Sequence, residues 1–329
     1  MAETGNAIVF TGQGFVKEGM LEPMRDTRIG IDMLEEYREV RGAALLDLLT
    51  RGSKAELTET DKAQEATFLR GAYDFRLAHP ECFSEVGDTH IANEALADIA
   101  DFTLGQSLGE MTALYAAGVV SYRDGLRLVG RRGELMQALI LDARRRDITT
   151  VMSAIRKVTD SAAIEEACDA FNLKIDDGDK DRNSYVSVAN YNSSSQVVLG
   201  GTEDGVSFVE DVAAGLSAKC TRLQVPAAFH TRIFLPMRAE LERYIRSQLN
   251  FRDPVIPVVH NYDALPSREA SLTLDRVSLQ PASPVRFTQS IQLLGEKGVD
   301  TVHVYGPGAI GVGNFFKMTD TDMAVVASE

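Results

Sequence analysis

Short apolar runs that stop at glycine alternate along this chain with longer segments of helical period. Ile8 to Phe10 reads as a buried strand running into the Gly-rich turn around Gly12 and Gly14. Asp101 to Leu104 reads as a second strand and ends at Gly105-Gln106-Ser107-Leu108-Gly109. A helical pattern follows, in which the small residues Ala116 and Ala117 allow close packing on a sheet. Strand, Gly-bounded turn and helix is the arrangement of an α/β layer. Ser121 then N-caps a further helix, with Asp124 three residues on. Leu128, Leu135 and Leu139 form one stripe of it with Met136 alongside, and Arg132 sits inside that stripe. Arg127, Arg131 and Glu134 fall on the opposite, solvated face.

The texture changes between about Thr150 and Val225. A strand (ITTVMSAI), a helix (DSAAIEEACDAF), a hairpin turning at Asn192 to Ser195, a helix (GVSFVEDVAAGL) and a strand (CTRLQV) follow one another. That βαββαβ order is a ferredoxin-like unit. The chain then returns to α/β character, with a helix from about Arg232, a strand VIPVVH, a helix SPVRFTQSIQLLGEKG, a strand TVHVYG and the loop Gly306-Pro307-Gly308. The expected fold is therefore α/β. An α/β-hydrolase-like large subdomain over 1–148 and 226–329 carries a ferredoxin-like small subdomain inserted at 149–225.

Composition narrows the function more by exclusion than by suggestion. The 329 residues are 44% hydrophobic and 25% charged, ordinary values for a globular protein. No run approaches the ~18 apolar residues of a membrane helix, and the N-terminus lacks a basic region followed by an apolar core. A cytoplasmic protein is expected. The net charge of −14 argues against nucleic acid. Cys82, Cys168 and Cys220 are far apart and show no metal-ligand spacing, so they read as reduced core thiols, and no metal is expected.

The chemistry concentrates at Gly105-Gln106-Ser107-Leu108-Gly109, which matches the GxSxG nucleophile elbow. The string gains weight from its place between a buried strand and a helix. A serine hydroxyl needs a neighbouring base to take its proton. His79 and His90 lie in a polar stretch that reads as surface, and His260 and His303 end apolar strands as structural histidines. His230, in PAAFHT, ranks only slightly above them by position. Arg132 among leucines asks for an anionic partner, because a desolvated guanidinium is costly without one.

Taken in order, the motifs resemble malonyl-CoA:acyl-carrier-protein transacylases and the acyltransferase domains of polyketide synthases over nearly the full length. GQGFVKEGM is similar to the family's GQG...GM opening, and GQSLGEMTALYAAGVVSYRDGLRLVGRRGELM to its longest signature block. ANYNSSSQVVLGG resembles its NxNSPGQVVISG hairpin, AAFHT its GxFHS histidine motif and NYDA its NVDA strand end. LQPASPVRFTQS and YGPG resemble QLxxPVRW and EVGPG. The resemblance implies Ser107 as the acylated residue, His230 as general base and acid, and the Gln13 and Leu108 amides as oxyanion hole. It implies Arg132 as partner of a malonyl carboxylate, Asn192 facing the pocket, and a Gln280 carbonyl orienting the histidine without an acidic third member. It further implies ping-pong transfer from a coenzyme A thioester to the phosphopantetheine thiol of an acyl carrier protein, by a monomer with no permanent cofactor.

Departures from the family keep other readings open. Gln106 replaces the usual histidine before the nucleophile, Phe15-Val16 replaces Ser-Gln, and Ser193-Ser194-Ser195 alters NSPG. An added acidic stretch between about Pro80 and Ala100 reads as a surface excursion, or as partner contact or a changed pocket wall. Phe229 resembles the malonyl-selective form, in which bulk leaves little room for a 2-methyl group. Arg144-Arg145-Arg146, at the predicted subdomain junction, is a candidate carrier-docking patch on an otherwise acidic chain. Transfer of another acyl or unusual extender unit (carrier-to-carrier transfer included), acyl-carrier hydrolysis and a silent carrier-binding module are the competing readings.

Overall fold

Two sheets face one another across a cleft, and the candidate site lies between them. The computed structural model describes residues 5–86, 89–176 and 184–327. The first part of the chain forms β1 (Gly5–Phe10), α1 (Arg28–Arg41), α2 (Ala43–Arg51), α3 (Lys54–Leu57), α4 (Thr60–Ala78), β2 (Phe83–Val86) and β3 (Thr89–Ala92). Next come β4 (Phe102–Gly105), α5 (Gly109–Ala116), α6 (Tyr122–Arg145), β5 (Thr150–Arg156), α7 (Ser161–Asp176), β6 (Val186–Ser193), β7 (Gln196–Thr202), α8 (Glu203–Gly215) and β8 (Lys219–Arg222). The last third holds α9 (Arg238–Gln248), β9 (Val258–Val259), β10 (Pro266–Ser267), α10 (Ala270–Leu279), β11 (Val285–Arg286), α11 (Phe287–Glu296), β12 (Val299–Tyr305), α12 (Ala309–Lys317) and β13 (Ala324–Ala327).

The larger sheet runs β10-β9-β4-β1-β12-β13, parallel except for the β10 edge. Ala7, Ile8, Val9 and Phe10 are all buried, as a central strand covered on both faces requires. α4 and α5 pack on the Ile8 and Phe10 face of β1, and α11 and α12 on its Ala7 and Val9 face. Because β1, β4, β9 and β12 are parallel, their carboxyl ends emerge on one edge. The loops carrying Gly12, Ser107, Asn261 and Gly306 therefore meet there, as ligand-binding loops do in α/β sheets.

The smaller sheet runs β11-β6-β7-β5-β8. Along β5 and β7 the side chains alternate between its two faces. Ile155, Val188, Val197 and Leu199 pack beneath α7 and α8, whereas Met152, Ala154, Ala189 and Val198 turn toward the cleft. The fifth strand, β11, comes from the last third of the chain and pairs parallel with β6.

Several expectations need correcting. The hairpin turn is Ser194-Ser195, because Asn192 and Ser193 still belong to β6. VIPVVH contributes only Val258–Val259 as strand. The 80–100 stretch is not a mere surface excursion. It folds as the β2–β3 hairpin flanked by short 3-10 turns, and Cys82, Ala92, Leu96 and Ala100 join a core with Phe10, Phe75 and Tyr305. Gly87 and Asp88 within it lie outside the described residues. His79 and His90 are not freely exposed either, and His79 Nε2 meets the Tyr305 hydroxyl at 2.8 Å. In both cases apolar neighbours bury a segment whose polar residues suggested solvent. Among the described residues no helix is long and apolar enough to cross a membrane.

Candidate active site

The elbow is shaped by its two glycines. A Cβ on Gly105 would stand 1.9 Å from the Gly109 carbonyl carbon, and one on Gly109 would stand 2.2 Å from the Phe10 carbonyl oxygen. Both contacts are with backbone and cannot yield, so only glycine lets α5 begin this close to β1. Between them Ser107 adopts φ +53°, a left-handed conformation unusual for a residue with a side chain. Such strain concentrates at functional sites and persists only where the surroundings enforce it. His230 has φ +60°.

Ser107 Oγ and His230 Nε2 are 2.6 Å apart. His230 Nδ1 lies 3.1 Å from the Gln280 main-chain oxygen. A carbonyl can only accept, so Nδ1 carries the proton and Nε2 presents its lone pair to the serine hydroxyl. His230 is buried, and burial together with the Arg132 charge pulls its pKa down from 6.5 to about 4. It is neutral, and competent as a base, throughout the physiological range.

Arg132 is 1% exposed. Nη1 donates to Gln64 Oε1 at 2.5 Å and Nη2 to Gln280 Oε1 at 2.8 Å. Both partners are neutral amides, and Nε is buried without an acceptor among the described residues. Desolvation brings the guanidinium pKa down to about 10, with Glu110 acting in the opposite direction. A cation in this state is fixed in direction but not neutralised at contact.

Ser107, His230 and Arg132 line one cavity of about 450 Å³, together with Gln13, Gln106, Asn192 and Phe229. Its apolar wall includes Met136 from α6 and Met152 and Val198 from the smaller sheet. None of its lining residues comes from 80–100, which removes the changed-wall reading for the described part of that stretch. Gln106 Nε2 donates to Asn192 Oδ1 at 2.8 Å across the cleft. Asn192 sits where β6 slips register against β7 between Tyr191 and Ser193, and such a bulge re-aims a side chain. Phe229 stacks on Phe234 with ring centroids 5.6 Å apart. Neither the Gln13 nor the Leu108 amide is taken up by a backbone partner among the described residues. Arg144, Arg145 and Arg146 are exposed at the end of α6, outside the cavity.

Gln64, Glu110 and Asn261 were not singled out for chemistry from the sequence, and Gln280 was singled out only for its carbonyl. Gln64 holds Arg132. Gln280 holds it too with its side chain, and its Nε2 donates to the Ser107 carbonyl at 2.6 Å. Glu110, wholly buried, binds His260 Nδ1 at 2.7 Å and also faces Gln280 Nε2 and the Asn261 amide. The Asn261 side chain reaches the elbow itself. The signal for Gln64 is present in α4, where Thr60, Gln64 and Thr67 form a polar stripe at helical spacing that is fully buried. Among the described residues no group of three or more His, Cys, Asp or Glu side chains could hold a metal ion.

Residues 7–304 match the family model described as Acyl transferase domain. The malonyl CoA-acyl carrier protein transacylase of Bacillus subtilis is 30% identical over 306 residues, covering 92% of this chain and 87% of that protein. The polyketide biosynthesis malonyl CoA-acyl carrier protein transacylase BaeC of Bacillus velezensis is 28% identical, with 93% of each chain covered. Among solved structures, a malonyl-transacylase in complex with its type II polyketide acyl-carrier protein superposes with TM-score 0.83 at 26% identity, covering 99% of this chain and 96% of that one. An acyl-carrier-protein S-malonyltransferase of Burkholderia pseudomallei gives 0.82 at 26% identity, covering 98% and 96%.

Proposed function

This chain belongs to the acyl transferase domain family, and from that premise we propose that it moves a malonyl group from coenzyme A to an acyl carrier protein through a Ser107 ester. The observation that carries the malonyl assignment is Arg132. A buried guanidinium held by two amide oxygens, beside the nucleophile and open to the cavity, asks for a carboxylate on the acyl group. Phe229 lines that cavity, which fits the malonyl-selective form its motif resembles.

Ser107 Oγ attacks the thioester carbonyl as His230 Nε2 takes its proton. The Gln13 and Leu108 amides receive the developing oxyanion. The tetrahedral intermediate collapses, coenzyme A leaves as its thiol with the proton from His230, and the malonyl ester remains. The pantetheine thiol of the carrier then gives its proton to His230 and attacks the ester, returning the serine hydroxyl. Arg132 holds the free carboxylate so that the carbonyl stays at the amides through both halves. Gln280 holds His230 by its main chain and needs no acidic partner.

We read 1–148 and 226–329 as an α/β-hydrolase-like body and 149–225 as an inserted ferredoxin-like unit, a reading supported by the order β6-β7-β5-β8 with both helices on one face. Gln106 and Asn192 form the wall where the two meet. Arg144 to Arg146 supply the local positive charge that an acidic chain needs to receive an acidic carrier. Charge reversal there raises the KM for carrier and leaves acylation by malonyl-CoA unchanged. Equal loss in both half-reactions contradicts the docking role. We place the work in the cytoplasm, by a monomer without a permanent cofactor.

Intact-protein mass spectrometry with a panel of acyl-CoA thioesters and carriers tests the assignment. Malonyl loads onto the wild type, and Arg132→Ala loses malonyl while keeping acetyl. Equal loss of both would remove the basis for malonate. Release of the acyl group to water faster than to any carrier would make the protein a hydrolase instead.

A further inference from the structure

We infer that Asn261 is a positioning residue whose side chain braces the nucleophile elbow as a surrogate strand, an inference that rests on Ser107 being the nucleophile. The ladder between β4 and β9 ends at the pair Leu104 and Val259. Two residues on, the Asn261 side chain continues it. Nδ2 donates to the Gly105 carbonyl at 2.7 Å, and Oδ1 accepts from the Ser107 amide at 2.7 Å. A carboxamide offers the same donor and acceptor as a peptide unit. It therefore spans the elbow from Gly105 to Ser107, across a backbone that turns too sharply for a regular strand partner.

The brace is itself fixed. Asn261 is 0% exposed, its amide donates to Glu110 Oε2 at 3.3 Å, and its carbonyl accepts from the Arg286 amide at 3.0 Å. Glu110 lies in the first turn of α5, three residues beyond Ser107, so the helix that follows the nucleophile anchors the main chain from which the Asn261 side chain projects.

Two consequences follow. The left-handed Ser107 conformation is approached through a turn pinned at the Gly105 carbonyl and at the Ser107 amide, so the Oγ direction toward His230 is set before substrate arrives. The Ser107 N–H is also consumed, which leaves the oxyanion to the Leu108 and Gln13 amides. Loss of the brace should reduce the rate of acylation and not the affinity for the acyl donor.

The test is single-turnover acylation of the full chain by malonyl-CoA, with labelling by a small fluorophosphonate that needs neither coenzyme A nor carboxylate. Asn261→Ala should slow both on the order of 10- to 100-fold per folded molecule, as a small misplacement of a reacting group does, with the half-saturating malonyl-CoA concentration unchanged. Asn261→Asp keeps the acceptor for the Ser107 amide but sets a carboxylate against the Gly105 carbonyl. In that variant the nearby charged and titratable groups are Glu110, which holds the residue's own main-chain amide, His260 beyond it, and Arg132 one amide further off through Gln280. Protonation restores an O–H donor, so its rate should rise on acidification from pH 7.5 to 5.5, where the wild type does not rise. Circular dichroism normalises every rate to folded protein. Wild-type rates in Asn261→Ala, or Asn261→Asp tracking Asn261→Ala at every pH, would overturn the brace. Labelling of Ser107→Ala at the wild-type rate would instead overturn the nucleophile assignment beneath it.

Discussion

Exchanging Gln64 for glutamate tests why the pocket wants a carboxylate. Gln64 is wholly buried on α4, with Oε1 2.5 Å from Arg132 Nη1 and Nε2 3.2 Å from Met136 Sδ. Gln64→Glu preserves shape, gives up only a weak N–H···S contact, and ionises because the opposite charge is adjacent. Arg132 then carries a resident counter-ion. A malonyl carboxylate at about 4 Å from the guanidinium gains ~4 kcal/mol at an effective dielectric of about 20, and a second carboxylate at about 5.5 Å takes back ~3 kcal/mol of it. The preference for malonyl over acetyl should thus fall roughly 100-fold as a ratio of kcat/KM. Quenched-flow loading by malonyl-CoA and acetyl-CoA, read by intact mass, measures that ratio. A folded Gln64→Glu protein with a ratio within about twofold of the wild type would refute an unneutralised Arg132 as the source of selectivity.

Other outcomes follow from the same geometry. Because Arg132 depresses His230, a bound malonyl carboxylate should raise its pKa from the value of about 4 in the free protein, so single-turnover acylation by malonyl-CoA should lose rate at a higher pH than acylation by acetyl-CoA. Coincident inflections near 6.5 would contradict the assigned burial and charge effect. The same depressed pKa makes folding sensitive to acid: this site's contribution is complete above about 6.5 and drains away as pH falls toward about 4, where the unfolded chain takes up the proton first. Removing the cross-cleft amide in Gln106→Ala should shorten the acyl-enzyme lifetime in the absence of carrier several-fold, as water reaches the ester, at a stability cost of about 1 kcal/mol; an unchanged lifetime would assign Gln106 to packing alone. Gly109→Ala drives a Cβ into the Phe10 carbonyl and should cost ~3 kcal/mol or more in urea unfolding, and a cost below about 1 kcal/mol would show that α5 can retreat from β1.

What could be read in advance was what local pattern encodes. The GxSxG turn is legible because two glycines and a strand end are consecutive. Arg132 is legible because a cation breaks a leucine stripe, and burial is the only state in which that placement has consequences. Position ranks His230 only slightly above His260, since both follow apolar segments. The two differ only in the fold, where His260 faces Glu110 and His230 faces Ser107. Glu110 and Asn261 stayed silent for a related reason, since each side chain meets its partners more than 100 residues away along the chain. Gln64 left a trace only in the buried polar stripe it forms with Thr60 and Thr67. The 80–100 stretch misled because acidic residues outnumber its anchors, yet Cys82, Leu96 and Ala100 suffice to bind it to the core.

The central claim is that one hydroxyl carries the acyl group and one imidazole activates it. Peptide mapping of the protein quenched after mixing with malonyl-CoA tests this most directly. The ester should map to the peptide containing Ser107, be absent in Ser107→Ala, and form far more slowly in His230→Ala. A malonyl group found on any other residue, or full loading of Ser107→Ala, would contradict the account.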